Sequence, residues 1–407
     1  VIALIDSDYV QLRQVDPVSA FTTISVSGQS DVVADNSEAV ADWSQSTQQT
    51  KLIPSDGGGA SNFVDQPIRA SADGNVLIAT SIYTTVNSYT LAGTAYIYTR
   101  SGSAWTEAQI LNAGSDVTAN SYLYGYASGI SADGNTIAIS AKPTTANGSD
   151  PVVYVYTKSG STWTLQQKVS GTGVARSDEF GYVIALSDDG NTLMVTSRQD
   201  DDTDTNAGAV YVFTRSGSTW TQQQKFQSSD VEASDFFGSE GDISGDGNTI
   251  IVGCRNEDTT ATDAGSAYIF TLSGSTWSQQ AKLQADDAST NLEFSDRSIS
   301  ISTDGNTAAI AAGASNEGFV YIFTRSGSSW SQQAKIEHAN TTAGYNFSEV
   351  SISGDGNTVV IGADGDEENS ITDEGSAFIF TRSGSTWTQV EELDNSVSIN
   401  TIIYDFK

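Results

Sequence analysis

One short phrase, Ser-Gly-Asp-Gly-Asn-Thr at 244–249, returns in six versions along the chain and limits the folds open to it. The Asp of its Asp-Gly-Asn core falls at 73, 133, 189, 246, 304 and 355, in steps of 60, 56, 57, 58 and 51 residues. Asp-Gly between apolar runs signals a hairpin, because Gly takes the positive φ that a tight turn needs. In the fourth copy the flanking runs are Asp242-Ile243-Ser244 and Thr249-Ile250-Ile251-Val252. A second hairpin follows in each copy: Ala267-Tyr268-Ile269-Phe270-Thr271, a Ser-Gly turn, then a strand from Trp277 to Leu283. Its Trp recurs at 43, 105, 163, 220, 277, 330 and 387, which accounts for all seven tryptophans. Four short strands per repeat are what one blade of a β-propeller requires.

A chain of 407 residues has room for two or three ordinary domains, but the repeat argues for one closed all-β array. The charge balance, 18 basic against 50 acidic residues, gives −32. Nucleic acid and anionic membrane are poor partners for such a surface, since phosphate binding needs basic patches. The one cysteine, Cys254, excludes an intrachain disulfide and a cysteine metal cluster, and reads as a small buried residue at a strand end. No stretch is long and apolar enough for a membrane span, and no membrane insertion is expected. The chain begins with Val1, which suggests a piece of something longer.

Residues 1–16 read differently. Ile2, Ile5, Tyr9 and Leu12 keep the 3-4-3 spacing of a helical seam. A short N-terminal helical connector is expected there, either the end of a coiled coil, with a homotrimer as its consequence, or an amphipathic helix packed on the propeller. The propeller is then expected over 17–407, with 53–393 holding six repeats. Segments 17–52 and 394–407 form or close a degenerate blade, since Trp43 opens a copy of the fourth strand. Seven blades is the expected count and six the alternative, which leaves the Trp43 strand surplus.

Two resemblances follow from these residues. Ile5-Asp6-Ser7-Asp8-Tyr9-Val10-Gln11-Leu12-Arg13-Gln14 resembles a segment of long virion proteins of tailed phages of marine bacteria. Phe21–Asp35 is similar to the β-rich linker that follows it there. This implies a tail-fibre or other appendage protein, extracellular or in the virion, joined to other virion proteins through its N-terminus. From Ser61 to Leu393 the repeats resemble the FG-GAP type of integrin α-chain propellers. Phe180-Gly181 and Phe237-Gly238 keep the naming dipeptide, Tyr124-Gly125 is close, and Ile361-Gly362-Ala363 keeps the Gly-Ala half. Integrin-type blades carry a calcium loop between their first two strands, where this chain has only a tight turn.

Strands two and three of each repeat are apolar on both faces, as blades packed face to face demand. The fourth strand is polar after its Trp, for example Thr221-Gln222-Gln223-Gln224-Lys225, as an outermost strand should be. Turns 1–2 and 3–4 are short and uniform, whereas connections 2–3 and 4–1 vary and emerge on the other face. Recognition belongs on that variable face.

Candidate sites lie there. Asp200, Asp202, Asp204 and Asn206 alternate as oxygen ligands in a calcium loop do, without the Gly and closing Glu of a complete one. Solvated acidic loops are the other reading. Tyr83, Tyr89, Tyr122, Tyr126 and Tyr345 gather in variable loops, where rings beside carboxylates suit a sugar. The alternative is that they anchor their own loops. A lone histidine, His338, excludes His-based triads and multi-histidine metal sites. The expected function is therefore non-catalytic recognition of a host-surface glycan or protein. A ligand-free structural virion protein and a polysaccharide-cleaving enzyme are the alternatives.

Overall fold

The computed structural model describes residues 2–6, 9–14, 47–56, 68–144, 149–313, 318–337, 346–364, 376–393 and 401–403. Three strands precede the repeats: β1 (Ile2–Asp6), β2 (Tyr9–Gln14) and β3 (Thr47–Leu52). The first blade holds β4 (Arg69–Ala70), β5 (Val76–Ser81), β6 (Thr94–Ser101) and β7 (Ala104–Leu111). The second holds β8 (Tyr124–Ile130), β9 (Thr136–Ala141), β10 (Val152–Ser159) and β11 (Thr162–Val169). The third holds β12 (Phe180–Leu186), β13 (Thr192–Ser197), β14 (Ala209–Ser216) and β15 (Thr219–Phe226). The fourth holds β16 (Phe237–Ile243), β17 (Thr249–Cys254), β18 (Ser266–Ser273) and β19 (Thr276–Leu283). The fifth holds β20 (Ile299–Ile301), β21 (Thr307–Ala312), β22 (Phe319–Ser326) and β23 (Ser329–Ile336). The sixth holds β24 (Asn346–Ile352), β25 (Thr358–Asp364), β26 (Ser376–Ser383) and β27 (Thr386–Leu393), and β28 (Thr401–Ile403) follows.

Each blade is an antiparallel meander in sequence order, so the molecule is a β-propeller of four-stranded blades. The repeated phrase makes the first turn. Gly247 stands at φ 70°, the Ser244 hydroxyl donates to Asp246 at 2.6 Å, and the Asn248 and Thr249 N–H groups donate to Asp246 and Ser244. The residue between Ser and Asp then links blade to blade. Ala72 donates to Ala132, Ala132 to Asp188, Asp188 to Gly245, Gly245 to Thr303 and Thr303 to Gly354, all at 2.9–3.0 Å. The hairpin is thus also the joint of the ring.

Between blades the third strands pack both ways, as expected. Tyr268 and Phe270 share a layer with Met194, Val210 and Val212, while Ala267 and Ile269 face Ala308, Ile310 and Tyr321. Each fully buried Ile or Phe contributes roughly 1.5–3 kcal/mol relative to exposure. The outer strands are less passive than their polarity suggested. Gln167 donates to the Trp220 carbonyl and accepts its N–H, and Gln166 accepts the indole N–H. Gln224 and Gln223 do the same for Trp277. These glutamines staple one blade to the next. Cys254 is buried at the end of β17, as read from the sequence.

Two expectations are corrected. The N-terminal helical connector is absent: β1 and β2 form an antiparallel hairpin pairing Ile2 with Arg13 and Asp6 with Tyr9. Two heptads are too short to offset helix nucleation, whereas strand pairing satisfies the same backbone groups with β3 and β28. The spacing that suggested a trimer therefore does not lie on a helix. Six blades, not seven, are built of consecutive repeat strands; the chain ends add a further four-stranded sheet in the order β28-β1-β2-β3. The Trp43 strand start lies outside the described residues, as do the Phe21–Asp35 segment and His338. Among the described residues no helix is long and apolar enough to cross a membrane.

Candidate binding site at the mouth of the central channel

The first strand of each blade lines the axis. Where these strands converge, a cavity of about 100 Å³ is lined by side chains from all six blades, among them Arg69, Ile130, Val183, Glu240, Arg297 and Glu349. It shares Arg69, Val183 and Glu240 with a second cavity of about 150 Å³, which Tyr126, Ser128 and Tyr182 also line. Two arginines and three carboxylates, with Asp242 beside Glu240 and Glu349, thus stand at the axis among serine and aliphatic side chains.

The Phe-Gly dipeptides explain how the second cavity is lined. Gly125, Gly181 and Gly238 have φ of 90°, 85° and 95°, and the β8, β12 and β16 ladders lose register just after them. A bulge re-aims the residues it contains. Those residues include Tyr126, Tyr182 and Glu240. A Cβ on Gly181 would sit 2.7 Å from the Ser140 Cβ, so the bulge needs glycine there.

Tyr126 and Tyr182 face each other with ring centres 5.6 Å apart. Lys142, just past β9, places its Nζ 3.8 Å from the Tyr126 ring centre. Arg198, just past β13, lies 3.8 Å from the Tyr182 ring centre and donates to the Tyr182 hydroxyl at 2.6 Å. Glu179 joins the two cations, accepting from Lys142 at 2.9 Å and Arg198 Nε at 2.6 Å. Burial pushes the Glu179 carboxyl up, but Lys142 and Arg198 outweigh it and hold the group below its ordinary range. The five side chains form one rigid wall.

Glu240 behaves in the opposite way. It keeps some exposure to the channel, yet the inner strands strip it of most hydration, and burial raises its pKa well above the usual carboxylate range. The Glu349 charge adds to this and Arg69 opposes it. Among the described residues no ion pair reaches Glu240, Arg69 or Arg297. Among the described residues Arg69 donates to the Ile68 carbonyl, at 3.4 Å, and Arg297 to the Gly313 carbonyl, at 3.3 Å.

Of the five tyrosines expected at a site, Tyr126 alone is placed here. Tyr83 is exposed, and Tyr89 closes a small bridge with Val86. Tyr122 is buried with its hydroxyl 2.8 Å from that of Tyr154, so both Tyr89 and Tyr122 follow the loop-anchor reading. Tyr345 lies outside the described residues. Tyr182, Glu240 and Arg69 were missed. Their signal is position: Glu240 lies six residues before the turn Asp246 (246 − 240), as Glu349 does before Asp355 (355 − 349), in the strand facing the axis.

In the acidic loop Asp201, Asp202 and Asp204 are exposed, as the solvated reading expects, and Asp200 is not. Asp200 is buried and accepts from Lys225 and from the Tyr211 hydroxyl, at 2.7 and 2.9 Å. Lys225 also reaches Asp202 at 2.6 Å. Asp204 accepts from the Thr205 N–H, and the Asn206 N–H donates to Asp201. The Lys225 ammonium thus lies between two of the four residues of the calcium reading, Asp200 and Asp202. Among the described residues no group of three or more His, Cys, Asp or Glu is arranged to hold a metal ion.

The fold and site define the class: a β-propeller with a polar, partly aromatic opening on its axis. Three stretches, 163–213, 220–270 and 330–380, match the FG-GAP repeat, so the chain carries FG-GAP repeats on that propeller. No curated protein sequence matches the chain. Among solved structures, the periplasmic gluconolactonase PpgL of Pseudomonas aeruginosa is similar at 12% identity and TM-score 0.58, over 99% of this chain and 98% of that one. A functionally unknown protein of Desulfotomaculum acetoxidans is similar at 13% identity and TM-score 0.57, over 99% of both chains. A proposed 6-phosphogluconolactonase of Bacteroides fragilis follows at 11% and TM-score 0.56, over 88% and 90%. At such identities the likeness is one of fold. The expectation that the chain is no enzyme is not upheld by these neighbours, since lactonase-type propellers stand among them. The resemblance of residues 5–35 to phage virion proteins finds no counterpart in these comparisons.

Proposed function

We propose that this protein is a recognition module that binds a surface glycan, or a sugar borne by a surface protein, at the tyrosine-lined end of its central channel. One observation carries this reading: Tyr126 and Tyr182 stand 5.6 Å apart at a cavity that also holds Arg69, Ser128 and Glu240. Aromatic faces stack on the C–H faces of sugars, while a few convergent polar groups fix hydroxyls. A place in an extracellular or virion appendage agrees with the N-terminal likeness to tail-fibre-type proteins.

We also infer that the sheet β28-β1-β2-β3 closes the ring between the sixth and first blades. In support, the blade-to-blade backbone relay runs from Ala72 to Gly354 through five links, and β28 lies against β24 and β25 while β3 lies against β7. Closure by strands from both chain ends fastens the array without a separate clasp.

Binding of labelled protein to an array of surface glycans tests the functional reading. Y126A and Y182A should each lose binding at least tenfold, with Y83A as an unaffected control. Equal binding by all three variants would move recognition elsewhere on the molecule.

A further inference from the structure

We infer that the sugar bound at this site is an acidic one, its carboxylate received in the channel by Arg69 and Arg297; this rests on the glycan-binding reading above. Arg69 lines both cavities and Arg297 the deeper one. Neither guanidinium has a carboxylate within ion-pair distance among the described residues, although carboxylates outnumber cations throughout the chain. Among the described residues Arg100, Arg215, Arg325 and Arg382 also lack a carboxylate, but they donate to neutral oxygens at the turns and line neither cavity. Lys142, Lys168, Arg198, Lys225, Arg255, Lys282 and Lys335 all hold carboxylates at 4 Å or less. Arginines left open in a partly desolvated channel match the planar fork of a carboxylate better than any neutral group.

Glu240 fits the same ligand. Burial and the nearby Glu349 shift it toward its protonated form, which lessens its repulsion of an incoming anion, while Asp242 and Glu349 also line that cavity and leave the two arginines to supply the attraction. The groups facing it are Glu349, Arg69, Asp296 and Arg198, and the last two are already paired with Arg255 and Glu179. Tyr126 and Tyr182 then lie where the sugar ring would rest, at the cavity that Arg69 and Glu240 share with the deeper one. The net charge of −32 slows the approach of an anion, but beyond a Debye length of about 8 Å at physiological salt that field is screened. Local groups therefore decide affinity.

Calorimetric titration of the full chain at physiological ionic strength tests this, with D-glucuronate and D-galacturonate against D-glucose and D-galactose as probes. The uronates should bind at least tenfold more tightly than the neutral sugars. R69Q and R297Q should each remove that preference, and R69K should keep part of it; unchanged melting temperatures show that the variants fold. Equal affinity for acid and neutral sugars, or Arg variants that keep the preference, would overturn the acidic-ligand inference while leaving glycan recognition standing. Glucose 6-phosphate binding above glucuronate would overturn the carboxylate assignment. No binding of any sugar at millimolar concentration, together with a silent glycan array, would sink both readings.

Discussion

The Lys225 ammonium lies 5.2 Å from the centre of the Tyr211 ring, directly across the β14–β15 ladder, and both side chains end on the Asp200 carboxylate. The same station recurs with the pairs Tyr154–Lys168 on Asp116 and Tyr321–Lys335 on Asp287. In the fourth blade Tyr268 faces Lys282, which holds Glu257 and Asp230. Acidic groups of the 2–3 connections (Asp200, Glu257) and of the connections between blades (Asp116, Asp230, Asp287) are thus tied down by a ladder pair that the repeat supplies.

This predicts an asymmetry in mutants. Lys225→Met leaves the buried Asp200 charge without its cation and should cost about 3–5 kcal/mol. Asp200→Asn keeps an acceptor for Tyr211 and should cost about 1–3 kcal/mol. Urea denaturation measures both. A chelator should leave the wild-type melting temperature unchanged, since Lys225 already occupies the carboxylates. A drop of several degrees on chelation would restore the calcium reading.

Stability should pass through a maximum on acidification. Burial and the Glu257 and Glu232 charges push Asp235 up to about 6, so it binds its proton more tightly folded than unfolded. Its charged form therefore opposes folding above that pH, and stability is gained as pH falls from about 6 toward 4. The turn residues Asp73, Asp133, Asp189, Asp304 and Asp355 act in reverse. Burial raises them, but their Ser and Asn hydrogen bonds prevail and lower them. Their contribution is present above the unfolded value and disappears as pH drops below about 4. Asp235→Asn should stabilise the protein at pH 7 by roughly 2 kcal/mol and flatten the rise between pH 6 and 4. A monotonic fall from pH 7 downward would contradict this ordering.

Gly208 marks one of the tight approaches between blades. A Cβ there would lie 2.0 Å from the Phe237 carbonyl oxygen, and the residue stands at φ 87°. Gly93 meets Tyr124, Gly265 meets Phe294 and Gly318 meets Phe347 in the same way. Gly208→Ala should therefore cost about 2–4 kcal/mol, through both strain and a forced separation of two blades. Gly217→Ala, with nothing near its Cβ, carries the strain alone and serves as the comparison. Equal costs in the two variants would show that φ, not the close approach, fixes this glycine.

The blades were legible because their signals are local: a turn phrase, an apolar strand pair and a Trp, each repeated at nearly constant spacing. The N-terminal hairpin was not, because Ile2, Ile5, Tyr9 and Leu12 fit a helical period within a segment too short for period alone to decide. Strand pairing with β3 and β28, far away in sequence, decided it. The site was half legible. Tyr126 reads from the sequence as a loop aromatic yet stands in β8, and Tyr182 holds the same place in β12; the bulges after Gly125 and Gly181 turn both to the axis. The acidic run at Asp200 looked solvated because its partners, Tyr211 and Lys225, lie on other strands.

Glu179 offers the sharpest check on the wall at the channel mouth. It holds Lys142 over Tyr126 and Arg198 over Tyr182, and its own backbone takes the left-handed conformation at φ 58°. Glu179→Gln should cost about 1–3 kcal/mol at pH 7, because two half-buried cations lose their shared anion. The carboxyl is depressed in the folded protein, so its contribution is complete above its unfolded value and is lost as pH falls through its folded one. The gap between wild type and Glu179→Gln should therefore close as the pH is lowered from 7 to 3. Paired urea denaturations at the two ends of that range measure it. A gap that persists undiminished at pH 3 would mean that Glu179 acts by shape and hydrogen bonding alone, and that Lys142 and Arg198 keep their places without its charge.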